Sequence, residues 1–589
     1  MHNSNYIAAN STSVTEPATL SRFAIILDAV VALFVTVVGS FLVYKDLGKP
    51  VLTGIDDENI TQVYGQNLAH GFGYVYTPNF EHVEGATSPL WVAVHWLAYS
   101  ITAQPEPFIL ILCILLTALT LYWSLGIARW MANALVLPAW TSWIAMLATA
   151  AQPSFFHWTV VTMMDQGIWA TVVVGLMYVL VREASNPDAQ PRSSFLGVLL
   201  CALSVLARPE SMLLMPAMLA IAAAVIVVNK GVGSAIRYAA PYFASVLVTL
   251  AGLTAFRLQY FGYPFPNTYY AKVSSNPIDN MVQGYHYIVG FLSSNVLTIP
   301  CVLAVALALL IGLQALWSSV RAKKALSQAH TIMLLVGGTL AAVFATLILE
   351  GGDHFPAFRM MQPYVPLLSV MLLVYVPLLA GWKEVSLSRA AGGLWCAGVV
   401  VITFVANYSN FATATKPLKE DFSLAADGRR IGNLLSSLGD THADVGVLPA
   451  GGIAVTYQGR IVDLLGLNWS EMAHASGRRV GMAGHSAFNL DVFWKHPPEL
   501  MLPELSKPQG MPNEKAIPAN FEIWVLHGLL NQRQFRNEYS PVLVHVGGGT
   551  VFAYARESFI SRYVGDPRVE VLPWTRFRDA PAEPTVTVN

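Results

Sequence analysis

Three consecutive carboxylates, Asp56, Asp57 and Glu58, stand in the polar segment that follows an apolar run from Phe23 to Tyr44. Like charges so close together near a membrane surface raise a carboxylate pKa or leave one acid poised as a general base toward a hydroxyl, and either Asp56 or Asp57 can fill that role. A solvated acidic loop or a helix N-cap is the plainer reading of the same residues. Further along the segment, Thr87 and Ser88 before Pro89 have the composition of a helix start. That explains the hydroxyls and leaves Glu84 over. Arg208, Pro209 and Glu210 place both signs of charge between two apolar runs, where ionisable residues point to function or to a self-paired cap. Arg257 ends another apolar run and leads into the aromatic loop from Tyr260 to Lys272. Interfacial aromatics commonly anchor a protein in the membrane, so Asn267 and Lys272 are the candidates within that loop. The ten residues from Glu350 to Arg359 hold Asp353, His354 and Arg359 around a Gly-Gly pair, and a guanidinium there has the planar fork that grips a phosphate. Adjacent residues such as Asp353 and His354 rarely supply two good metal ligands, so neither a metal nor a cofactor is expected.

The elements that position these residues follow from composition. The 589 residues are 54% hydrophobic and 12% charged, with a mean hydropathy of +0.51, whereas soluble domains carry about 25% charged residues. A formal net charge of -1 excludes a nucleic-acid partner and a polybasic surface protein. Eleven apolar stretches recur at 23–44, 88–127, 136–152, 166–181, 194–207, 212–229, 240–258, 293–317, 331–349, 361–380 and 391–408. The first is long enough for a retained membrane helix, and Pro105 and Pro107 split the second. The loops carrying Arg129, Arg182 with Arg192, Lys230 with Arg237, Arg321 with Lys323 and Lys324, and Lys383 with Arg389 are alternate ones. They share the cytoplasmic side if the N-terminus is cytoplasmic and 88–127 crosses an odd number of times. All candidate residues then face the outer side. Cys113, Cys201, Cys301 and Cys396 lie in apolar runs and read as small buried hydrophobes.

The expected organisation is therefore a polar, disordered N-terminus (1–20), an all-α membrane domain of about eleven crossings (21–408), and an extracytoplasmic α/β domain (409–589). Short β-rich runs at 445–448, 461–465, 521–526 and 542–554 mark the last. The run from Leu448 to Ala454, with Gly451 and Gly452, lacks the spacing and Lys of a phosphate loop and reads as a turn after a strand.

Acids and bases from five outer loops would surround one cavity suited to a polar phosphate head with a lipid tail. In order, the Ile-Asp-Asp loop, the segment from His82 to Pro89, Arg208-Pro-Glu210, Arg257 with the stretch to Lys272, Glu350 to Asp353 with Arg359, and Val462 to Asn468 resemble the bacterial arabinofuranosyltransferase-like GT-C family. That family is typified by the terminal β-arabinofuranosyltransferase of the mycobacterial cell wall. The resemblance runs from 23 to about 475 and departs in the C-terminal domain, which leaves the acceptor open. It implies a bacterial inner-membrane glycosyltransferase with a polyprenyl-phosphate pentose donor, a glycan or protein acceptor, and a catalytic carboxylate at Asp56 or Asp57. Glu84, Arg208, Arg257, Asn267, Lys272, Asp353, His354 and Arg359 are the candidate substrate-binding residues. Another lipid-linked sugar, or a non-enzymatic envelope or flagellar-motor-associated protein of the same fold, are the alternative readings.

Overall fold

The computed structural model describes residues 22–185, 192–273, 276–381, 388–413, 415–439, 442–475, 487–502 and 525–574. The N-terminus 1–20, Lys383 and residues 521–524 of one expected strand lie outside them. Lipid offers backbone groups no hydrogen-bond partner, so long apolar runs close their own bonds as helices. Among the described residues nine helices are long and apolar enough to cross a membrane: Arg22–Asp46, Glu106–Ala134, Gln166–Ala184, Ser211–Lys230, Val232–Tyr260, Thr298–Ala322, Gln328–Glu350, Arg359–Leu378 and Gly393–Thr413.

Two of the eleven expected stretches form shorter elements. Residues 194–207 give the 13-residue helix Phe195–Ala207. Residues 136–152 give Ser142–Ala150, after which Pro153 starts a new turn and a π-helical turn follows at His157–Val161. The doubtful stretch 88–127 resolves into Pro89–Ile101, with Ser88 as its N-cap, and the single long helix Glu106–Ala134. Three passes do not fit there. Arg129 belongs to that long helix rather than to a loop, and its charge is paired with Asp28 of Arg22–Asp46.

Helix Ser388–Thr413 leads into Lys416–Ser437, which starts the C-terminal domain. Its buried residues Leu418, Phe422, Ala425, Ile431 and Leu435 recur at helical spacing and form one face. The domain carries a six-stranded sheet: β1 (Val445–Val447), β2 (Ile461–Asp463), β3 (Leu500–Met501), β4 (Tyr539–Val546), β5 (Gly549–Arg556) and β6 (Val569–Val571), in the order β2-β1-β3-β5-β4-β6. β1 runs parallel to β2 and β3, and the other pairings are antiparallel. The single run expected at 542–554 is a hairpin. Gly547 and Gly548, with φ of +54° and +77°, supply the two left-handed residues of a tight turn between β4 and β5.

One helix joins the two halves. Asp56–Ala69 packs against Pro89–Ile101 on the membrane side and against the short helix Gly452–Thr456 of the C-terminal domain. Gly65 permits the first contact, since a Cβ there would stand 2.4 Å from that of His95. Ile60, Val63 and Tyr64 share a core with Ile431, Val445 and Ile453. Arg429 of Lys416–Ser437 then reaches across, donating to Asn59, Glu106 and Gln62 at 2.6 Å each.

Replacing Arg429 by Ala leaves Glu106 without its cation, and the expected cost is about 3 kcal/mol of stability. Thermal unfolding in detergent measures it. A variant within about 0.5 kcal/mol of the parent would show that the domains hold together without this residue.

Candidate functional site

The polar ends of the membrane helices and the loops between them enclose a cavity of 630 Å³. Asp57, Asp165, Arg208, Glu210, Arg257, Lys272, Asp353, His354 and Arg359 all line it. Five segments separated in the chain thus meet there, four of them carrying expected site residues and the fifth Asp165. Met212, Leu213, Phe265, Tyr269 and Leu349 add apolar side chains to the same lining. Leu213 and Leu349 are 47% and 51% exposed. The volume lies within the range of about 300–1,000 Å³ usual for small-molecule sites.

The acid pair divides. Both oxygens of Asp56 accept backbone N–H groups, from Gly451 at 2.9 Å and Gly452 at 2.8 Å. Here a Cβ on Gly451 would fall 1.8 Å from the carbonyl oxygen of Asp56. The Leu448–Ala454 turn thus does cradle an oxyanion, that of Asp56. Burial still outweighs these bonds and pushes the Asp56 carboxyl up to about 6. Asp57, one residue on, turns into the cavity, a quarter exposed and 3.9 Å from both Lys272 Nζ and Arg359 Nη1. Glu58, on the same helix, accepts from Trp91 Nε1 at 3.1 Å and shares a hydrogen bond of 2.5 Å with His95 Nε2. Burial, reinforced by the Asp165 charge, pushes its carboxyl well up.

The cations are held by partners outside or beside the reacting space. Glu84 does not line the cavity; it grips Arg257 through two bonds of 2.7 and 2.9 Å. Burial raises its pKa while Arg257 lowers it. Arg208 is shared by Glu210, at 3.0 and 2.5 Å, and Asp165, at 2.9 Å. Asp165 escaped the choice of candidates because a lone acid in a short turn carries no spacing signal. Arg359 Nε donates to Asp353 at 2.7 Å, and its guanidinium stacks 4.2 Å from the Phe355 ring centroid. Burial raises Asp353 against the pull of Arg359, and burial lowers Lys272. Among the described residues no group of three or more His, Cys, Asp or Glu is placed to hold a metal ion.

Asn267 stands outside the cavity, contrary to its expected place among the substrate ligands. Its amide donates to the carbonyls of Gly466 at 2.8 Å and Leu467 at 3.0 Å, so it ties the aromatic loop to the C-terminal domain. The same stretch is folded by Asp463, which accepts from Leu465 N, Asn468 N and Asn468 Nδ2 at 2.9 Å each. Asn468 in turn accepts from Tyr64, whose hydroxyl receives Gly85 N and so sets the loop bearing Glu84. Burial pushes Asp463 up to about 6.

A second cavity of 170 Å³ lies on the other side of Asp57, between the membrane bundle and the C-terminal domain. Asp421 lines it, and burial with the charges of Asp57, Asp56 and Glu420 raises its carboxyl to about 7. Its position on an amphipathic helix far along the chain gave no sign of this.

No protein-family model matches the chain, and no curated protein matches it. Among solved structures, ArnT from Cupriavidus metallidurans bound to undecaprenyl phosphate is similar at 14% identity and a TM-score of 0.46, over 91% of this chain and 98% of that one. Its apo form gives 14% and 0.42, over 90% and 97%. The Archaeoglobus fulgidus oligosaccharyltransferase in the apo form gives 12% and 0.49, over 94% and 76%. Likenesses this distant assign no chemistry, which rests on the geometry above.

The raised carboxyls predict a pH dependence. Asp56 and Asp463 move from 3.8 to about 6, so the folded protein holds their protons more tightly than the unfolded chain does. Their contribution to stability is full below the unfolded value and is lost as pH rises through about 6. The unfolding midpoint is expected to fall as pH rises from about 4 to about 6, with a flatter profile in an Asp56→Asn, Asp463→Asn double variant. An identical slope in that variant would assign the dependence to other groups.

Proposed function

We propose that the chain is a membrane glycosyltransferase that moves a sugar from a polyprenyl-phosphate donor to an extracytoplasmic glycan or protein. By the sequence resemblance the sugar is a pentose, arabinofuranose. The observation that carries this reading is Asp57, set 3.9 Å from Lys272 and Arg359 in a cavity lined by both charged and apolar side chains. A lipid-linked phosphate has both characters. Its tail suits the exposed apolar side chains of Leu213 and Leu349, and its phosphate suits the cations.

Asp57 is the base in this mechanism, because both oxygens of Asp56 are occupied by backbone N–H groups. The acceptor oxygen bonds to the anomeric carbon while the bond from that carbon to the phosphate oxygen breaks. The hydroxyl proton passes to Asp57 and the electron pair leaves with the lipid phosphate. Lys272 and Arg359 meet the charge that grows on the phosphate, and their fixed positions cost no reorganisation at that moment. Glu84 and Asp353 act as positioning residues for Arg257 and Arg359. Arg208, already shared by two acids, supports the wall.

Asp57→Asn is expected to lower transfer by about 10² to 10⁴ with unfolding and binding of lipid phosphate retained. Turnover at the parent rate in purified protein would remove Asp57 from the chemistry. Arg359→Ala should raise the donor KM by about tenfold or more, since a hydrogen bond to a charged group is worth about 1.5–3 kcal/mol, and Arg359→Lys should recover part of it. Full recovery by Lys would mean that a point charge suffices and the planar fork does not matter. A reporter fused after residue 589 should be active only when it signals from outside the cytoplasm. Activity of a cytoplasm-only reporter would reverse the orientation and exclude an extracytoplasmic acceptor.

A further inference from the structure

We infer that the 170 Å³ cavity is the acceptor subsite, that it takes one terminal sugar ring or a polyol of that size, and that Asp421 of the C-terminal domain is its specificity-determining side chain. This rests on the glycosyl-transfer reading above and adds to it a place, a size and a residue.

The argument starts from Asp57. A base that deprotonates an incoming hydroxyl must touch the space that hydroxyl comes from as well as the donor's reacting carbon. Asp57 borders both cavities, and so do Lys272 and His354. The large cavity has the apolar side chains and the cations that suit a lipid phosphate. The small one has no Arg in its lining, and the C-terminal domain contributes Asp421, Leu424, Leu448 and Pro449 to it. It therefore suits a neutral group presented to the soluble domain rather than a second phosphate.

Size restricts that group. At 170 Å³ the space is below the lower bound of about 300 Å³ for drug-sized ligands, so one ring enters and the rest of the acceptor stays outside. The lining is divided as a sugar is. Phe355 and Leu424 offer apolar surface to ring C–H groups, while Asp57 and Asp421 offer carboxyls to hydroxyls.

Asp421 has the properties this role needs. It is half-buried, and among the described residues it makes no side-chain hydrogen bond. The charged groups around it are Asp57 and Asp56 from the helix at the domain junction, Glu420 beside it, Arg359 from across the site, and Lys272 in the lining of the same cavity. Burial among these groups raises its carboxyl to about 7, where it can both donate to and accept from a sugar hydroxyl.

The test is saturation-transfer NMR on the full chain in nanodiscs, with undecaprenyl phosphate added to fill the large cavity and with methyl glycosides of arabinofuranose, mannose and glucose as probes. At least one glycoside is expected to bind. Leu424→Trp, which fills the small cavity, should abolish its signal, and Asp421→Asn, which keeps the volume, should weaken it by about tenfold. Both variants should bind undecaprenyl phosphate within twofold of the parent. Binding of no glycoside, or a signal that survives Leu424→Trp, would overturn the inference while leaving the donor site intact. Conversely, glycoside binding that depends on Leu424 in a protein that does not bind undecaprenyl phosphate would sustain the small subsite and sink the proposed donor.

Discussion

The carboxylate of Asp56, held by the N–H groups of Gly451 and Gly452, is the joint on which the site depends. It fixes the first turn of Asp56–Ala69 against the C-terminal domain, and the next residue of that turn is Asp57. Charge-assisted hydrogen bonds are each worth about 1.5–3 kcal/mol, and here they are set against the cost of burying a carboxylate. The close approach requires no Cβ on Gly451, which would meet the Asp56 carbonyl, and Gly452 is held bare by the Ala425 backbone beside it. Moving the joint would swing Asp57 out of reach of Lys272 and Arg359.

Around that joint the charges form close pairs and a triad, and the two approaches to Asp57 are left long. Arg257 with Glu84, Arg359 with Asp353, and Arg208 with Asp165 and Glu210 are all within 3.0 Å. The approaches of Asp57 to Lys272 and Arg359 are 3.9 Å. Unpaired charges are costly in a poorly hydrated space, so the paired set is what a stable site at a membrane boundary must contain. The looser contacts mark where a ligand's charge can be taken up.

The C-terminal domain is part of the site rather than an appendage to it. Its Asp463 and Asn468 fold a turn that receives Asn267 and Tyr64, and through Tyr64 the turn sets the loop that carries Glu84. Its Arg429 holds Asn59 and Gln62, and its Asp421 faces Asp57 across the smaller cavity. The two domains thus shape one reacting space.

Hydrophobic patterning alone determined that this chain is a polytopic helical protein with a small α/β domain at its C-terminal end, because lipid permits long apolar runs only one backbone solution. It also picked out the polar segments whose charges meet in the large cavity, since ionisable residues at a membrane boundary are too costly to be placed there without a partner or a ligand. It could not separate Asp56 from Asp57, which are neighbours in the chain and differ only in which way a helix start points them. Nor could it reveal that Asn267 binds carbonyls of a distant turn, that the stretch 136–152 gives only the 9-residue helix Ser142–Ala150, or that Asp165 and Asp421 reach the site. Those outcomes depend on contacts between residues up to hundreds of positions apart, and local sequence carries no record of such distances; only packing of the helix Asp56–Ala69 between two domains decides them.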